Sequence, residues 1–263
     1  MHAASIKECD KGAALADMQS STTTTRLLLV LLLLPLCARG LVIPFVTFAD
    51  NATGTTFPFT ALVDPVMGSE SWGNWTVDDG AGVLSGVVTV VPRPAVTIVG
   101  ASPGFLKAAA DGAFPDISRC AASGAGGLLL SVRVSAGSPY PEYHVSLASG
   151  AHPSAAYSCK GGGSIPLSRG CFKANFTAAA ATSTSSASSA FAPVFVPFAA
   201  FSDRWTPKTG EAKVGCADDG TACLTAARLA SVQRVEIWAE GSTGHVHLEV
   251  GSIVATSERP TGC

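Results

Sequence analysis

The clearest alternation of apolar and polar positions lies near the C-terminus. Val246, Leu248 and Val250 alternate there with His245, His247 and Glu249. A period of two sets the first series against a core and the second toward solvent, as in a strand with one wet face. Ile253 and Ala255 continue the alternation. Upstream, Val235 to Glu240 reads as another strand. Gly241, Ser242, Thr243 and Gly244 lie between them and supply turn chemistry. The two runs therefore read as a hairpin, the last layer of a β-sandwich that earlier strands must cover.

Those earlier strands are short and separated by turn residues. Val42 to Phe48 is the first. Gly82 to Val91 is rich in Val and Gly, a buried strand with room for a bulge, and Pro92 and Pro94 end it. Leu128 to Val134, Tyr143 to Leu147 and Phe172 to Phe176 follow. Phe191 to Phe201 resumes the sandwich, and Pro197 confines it to an edge or a bulge. Leu62 to Trp75 carries Asp64-Pro65 and Gly68-Ser69, which is loop chemistry. Ser102 to Phe105 reads as a turn, Phe114 to Ser118 as a loop, and 206–223 as a polar loop. Gly161, Gly162 and Gly163 fall in a loop bracketed by Cys159 and Cys171. Thr177 to Ala190 contains only Ala, Ser and Thr, too little to bury, so a mobile loop is expected. Leu224 to Ala230 is the one helical turn. The whole pattern predicts an all-β sandwich.

Composition agrees with a large core. Of 263 residues, 47% are hydrophobic and 14% charged, and the net charge is -2. With no basic cluster, nucleic acid is a poor partner. Leu27 to Leu36 is a short apolar run preceded by Arg26 and followed by Ala38-Arg39-Gly40. That order describes a secretory signal peptide over 1–40, with Met18 as an alternative start, and no stable membrane span after cleavage. Acidic Glu8, Asp10 and Asp17 argue against a mitochondrial presequence. The sequons at Asn51, Asn74 and Asn175 fit passage through the secretory pathway. So do six cysteines beyond the leader: Cys120, Cys159, Cys171, Cys216, Cys223 and Cys263. They allow 15 pairings. The local pairs Cys159–Cys171 and Cys216–Cys223 are the simplest, which leaves Cys120 and Cys263 as a long-range pair.

Several blocks in order resemble the complex I intermediate-associated protein family. They are Asp64-Pro65-Val66-Met67-Gly68 with Ser71 and Gly73, then Pro103-Gly104-Phe105, then Tyr143 with Val145-Ser146. Lys173-Ala174 before Phe176, Val196-Pro197-Phe198, Phe201-Ser202-Asp203 with Trp205, and Leu248-Glu249-Val250 with Ser252-Ile253 complete the set. The resemblance covers about residues 45 to 256. It implies a galactose-binding-like jelly-roll sandwich over 41–256, with a C-terminal tail at 257–263 and no catalysis. It also implies a chaperone or assembly role like that of the family's mitochondrial NADH:ubiquinone oxidoreductase factors. Ser69 replaces a usual glycine, and the secretory leader departs from the mitochondrial pattern.

The candidate chemistry is sparse. His245, His247 and Glu249 share one strand face, an inventory a metal could use, but a solvated polar face is the expectation. No Gly-x-Ser-x-Gly elbow occurs. Asp64, Asp116 and Asp203 sit in loops, where Asp commonly caps turns. The expected function is a non-catalytic binding module with a protein partner and neither cofactor nor metal. Asp64, Met67, Trp72, Trp75, Asp203 and Trp205 are its candidate binding residues. The alternative is a secreted carbohydrate-binding domain. In it, Trp72, Trp75 and Trp205 stack on sugars while Asp64 and Asp203 accept from hydroxyls.

Overall fold

A computed structural model describes residues 40–48, 54–63, 69–91, 104–135, 140–149, 171–178, 190–206 and 209–261. All lie in one unit, Gly40–Cys263. Among them are strands β1 (Val42–Thr47), β2 (Thr60–Val63), β3 (Trp72–Asp78), β4 (Ala81–Val88), β5 (Phe105–Asp111) and β6 (Gly127–Val134). They continue with β7 (Tyr143–Ser149), β8 (Cys171–Phe176), β9 (Ala192–Pro197), β10 (Val232–Glu240) and β11 (Gly244–Thr256). One short helix, α1, spans Ala226–Leu229. The first sheet runs β3-β4-β11-β6-β9, and β1 pairs with the far half of β11; the second runs β2-β5-β10-β7-β8. Every pairing is antiparallel. The fold is the expected all-β, jelly-roll sandwich of two antiparallel sheets.

Between the sheets, Leu84, Leu128, Leu130, Leu248 and Ile253 meet Leu106, Val145, Leu147, Val235 and Ile237, all fully buried. Burying one such side chain is worth about 1.5–3 kcal/mol, so this layer supplies the main drive to fold.

Both strands of the C-terminal run are present, but they do not pair with each other. β10 is central in the second sheet and β11 central in the first. The expected hairpin is instead a corner that carries the chain across the core. Alternation reports which face is buried, and each strand buries its apolar face against the other. At the corner, Gly241 has φ +88°, and Tyr140 Oη donates to the Ser242 carbonyl at 2.7 Å.

The alternation also changes phase. A bulge between Val250 and Ser252 shifts the register with β6. Core positions therefore pass from 246, 248 and 250 to 253 and 255. An extra residue in one strand has this effect. A second bulge in β1 lies between Pro44 and Val46, and Phe45 and Val46 are both fully buried.

Other expectations divide. Among the described residues β9 pairs only with β6 in the first sheet, the edge place its prolines require. The β4 glycines make no bulge, since its pairings with β3 and β11 are regular. Gly82 leaves room for Trp75, whose ring would lie 2.0 Å from an added Cβ. Leu62 and Val63 end β2, and Trp72 to Trp75 open β3. Phe105 opens β5 rather than closing a turn. Thr225 caps α1, accepting from the Arg228 N–H.

Cys216 and Cys223 are bridged, with Cα atoms 4.9 Å apart. Cys171 is also disulfide-bonded. Cys120 corrects the expected long-range pair: it is a free thiol, buried in the core. Its Sγ faces the Leu41 carbonyl at 3.9 Å, where no second sulfur reaches it. The leader, Asn51, Asp64, Met67, Cys159, Gly161 to Gly163, most of the 177–190 stretch, and Cys263 lie outside the described residues.

Candidate functional site

The side chains pointing away from the core on the second sheet form a layer of their own. Leu106, Ala108 and Ala110 of β5 face inward, so Phe105, Lys107 and Asp111 face outward. Arg234, Glu236, Trp238 and Glu240 do the same on β10, His144 and Ser146 on β7, and Lys173 on β8. Register brings them together. Trp238 lies between Lys107 on β5 and His144 on β7. Ser146 lies between Glu236 on β10 and Lys173 on β8.

An outward face would ordinarily be wet, but this one is not. Lys107 and Glu236 have no exposure, and Lys173, His144 and Trp238 have 1% each. Part of the cover is the segment after β9. Ser202 exchanges backbone hydrogen bonds with Lys173. Trp205 beyond it is buried and donates from Nε1 to the Cys171 carbonyl at 3.3 Å. Gly210 presses so close that an added Cβ would fall 2.3 Å from a Glu240 oxygen.

Two linked ion-pair groups fill the layer. Glu236 accepts from Lys107 Nζ at 2.8 Å and from Arg234 Nε at 2.6 Å. Its other oxygen accepts from Trp238 Nε1 at 2.9 Å and Ser146 Oγ at 3.0 Å. Arg234 reaches on to both oxygens of Asp111. In the second group, Lys173 Nζ donates to Glu240 at 2.5 Å. The Trp238 ring joins the two groups, with Lys173 Nζ 3.5 Å and Lys107 Nζ 4.4 Å from its centroid. Lys173 is also 3.9 Å from the Trp205 centroid. Phe105 packs on Trp238 with centroids 5.0 Å apart.

The electrostatics follow from burial. Loss of water pushes the Lys107 and Lys173 ammonium groups below the usual lysine range, while Glu236 and Glu240 pull each back up. Burial would raise Glu236, but Lys107 and Arg234 together hold it below the usual carboxylate range. His144 is driven down to about 4 by burial, against the pull of Glu240 and with the help of Lys173. Among the described residues neither ring nitrogen makes a hydrogen bond, and Nδ1 lies 3.5 Å from a Glu240 oxygen. Taking ions out of water costs several kcal/mol each, and pairing seldom returns more than that. A purely structural layer would be as stable with apolar residues. Perturbed, desolvated groups gathered on one face mark a candidate site.

The sequence-based candidates scatter. Trp205 is in the layer. Trp72 and Trp75 belong to β3 in the first sheet, three residues apart and so on opposite faces. They form no common platform. Trp75 packs on Phe59 and Phe48, with centroids 5.1 Å and 5.5 Å apart, while Trp72 is 63% exposed. Asp203 is half-buried, its backbone held by the Ala222 carbonyl. Asp116 caps a turn at Ser118 N. On the first sheet, His247 sits 3.4 Å from Glu249, whose other oxygen is taken by Arg133. Asn175 is exposed on β8, across from His144. Sequence reasoning missed Lys107, His144, Arg234, Glu236, Trp238 and Glu240. Their signal was a strand whose polar half, Arg-x-Glu-x-Trp-x-Glu, is charged and aromatic rather than merely polar.

No family model and no curated protein matches the chain. Solved structures do. One is a family 11 carbohydrate-binding module from Clostridium thermocellum in complex with a β-1,3-1,4-mixed-linked tetrasaccharide. It is 12% identical with a TM-score of 0.43, covering 83% of this chain and 96% of that one. Another is a solution structure, with dynamics and binding studies, of CtCBM11. It is 13% identical with a TM-score of 0.44, covering 86% and 99%. The complex I assembly-factor role that the family resemblance implied is corrected here: these two solved structures are carbohydrate-binding modules.

Proposed function

We propose that this chain is a non-catalytic carbohydrate-binding domain and that the outer layer of its second sheet is the binding face. The observation that carries this is the layer's make-up. Trp205, Trp238 and Phe105 gather apolar rings beneath the covering segment, and sugars present matching C–H faces. Around them stand fixed donors and acceptors of the kind that orient a polar ligand. Their charges balance, with Lys107, Lys173 and Arg234 against Asp111, Glu236 and Glu240. A balanced layer favours a neutral polyhydroxylated ligand over an anion or cation. His144, whose Nε2 makes no hydrogen bond among the described residues, is placed to take a hydroxyl. Trp205 and Gly210 cover this end of the sheet, so binding requires them to be displaced from it. We further place the protein in the secretory pathway, supported by the Cys216–Cys223 bridge and the bonded Cys171.

A glycan array followed by calorimetric titration tests the reading. Wild-type protein is expected to bind neutral oligosaccharides without releasing new reducing ends. Trp205→Ala is expected to lose at least tenfold in affinity, and Trp205→Phe less, with circular dichroism confirming both folds. Silence across the array, turnover of the ligand, or full affinity in Trp205→Ala overturns it.

A further inference from the structure

β3 is an edge strand, hydrogen-bonded to β4 and, among the described residues, to no other strand of its sheet. Trp72, Asn74 and Thr76 share its outward face. Trp72 is one of three large hydrophobic residues so exposed among the described residues. No packing within the described residues accounts for a 63% exposed indole beside Asn74. The Asn74 carboxamide is already oriented, since its Oδ1 accepts from Ser85 Oγ at 2.6 Å. That bond leaves the amide nitrogen outside it. Asn74-Trp75-Thr76 is an acceptor triplet for N-linked glycan transfer. In that transfer the amide nitrogen loses a proton and bonds C1 of the first sugar. A lipid-pyrophosphate-linked oligosaccharide donates the sugar, and lipid pyrophosphate leaves.

Residues two apart on a strand stand about 7 Å apart on the same face. A sugar joined at Asn74 therefore comes within reach of the indole. N-acetylglucosamine has one face of C–H groups, which stacks on an aromatic ring as other apolar faces do. We propose that Asn74 carries an N-linked glycan whose first N-acetylglucosamine lies on the Trp72 ring. The pairing covers the exposed indole and places a bulky group on an edge strand, where it blocks pairing with another chain. It is independent of the sugar-binding layer, which lies on the other sheet.

The full chain produced in a glycosylating secretory host provides the test. Mass spectrometry is expected to find Asn74 occupied. Melting temperatures of wild type, Thr76→Ala, Trp72→Ala and the double variant then form a cycle. Loss of the Asn74 glycan through Thr76→Ala is expected to lower the melting temperature by several degrees when Trp72 is present. It should lower it much less in the Trp72→Ala background, and Trp72→Phe should restore most of the coupling. An unmodified Asn74, or an equal loss in both backgrounds, overturns the proposal. Glycans at other sites are common to all variants and cancel.

Discussion

His144 shows how far a single position is shaped by its surroundings. Its imidazole is held neutral, with a pKa down to about 4 against an ordinary 6.5. The unfolded chain therefore binds the extra proton first as pH falls. Stability is full above pH 6.5 and declines between 6.5 and 4, by roughly 3 kcal/mol in all. Urea melts at pH 7.0 and 4.5 should show this decline, and His144→Gln should lessen its slope. An equal slope in the variant would assign the acid sensitivity to other groups. Glu240 and Lys173 are the charged neighbours to control for, since each acts on this imidazole. The residue scale is also where sequence reading was weakest. Lys107 and Glu236 are types that usually seek water, and only the register of four strands reveals that they bury one another.

At the scale of elements, the loop before α1 depends on its bridge. Residues 216–223 carry no apolar side chain larger than alanine, so few core contacts hold them. Closing so short a loop restricts the unfolded chain by about 2–3 kcal/mol in the chain-entropy account. Replacing Cys216 and Cys223 by Ser should lower stability by that amount in denaturant melts, with the sandwich intact by circular dichroism. Arg204, paired with Asp219 at 2.7 Å, should hold part of the loop. Strands with one dry and one wet face, such as β6 and β11, were legible because alternation reports that asymmetry directly. β5 was not: from Phe105 to Ala110 it is buried on both faces, so no alternation remains. Nor could a pattern of faces say which strand pairs with which, and that is why two facing strands read as a hairpin. Of the candidate site, only Trp205 was legible, through its block with Phe201, Ser202 and Asp203. The rest comes from strands whose polar residues looked like ordinary solvent-facing ones.

The sandwich as a whole is closed by its last two strands. β10 has β5 and β7 on its two sides, and β11 has β4 and β6. A chain stopped at Gly241 lacks the strand that joins β4 to β6. It should show no cooperative melting transition and should bind an apolar dye, whereas a chain ending at Pro260 should melt like the full protein. The corner at Gly241 to Thr243 also sets a timetable. During synthesis, the centre of each sheet leaves the ribosome after most of the strands it must pair. Long-range pairings of this kind fold slowly. For that interval β3 and β8 wait without a finished sheet beside them. Asn74 and Asn175 are then offered to any modifying enzyme as extended, accessible chain.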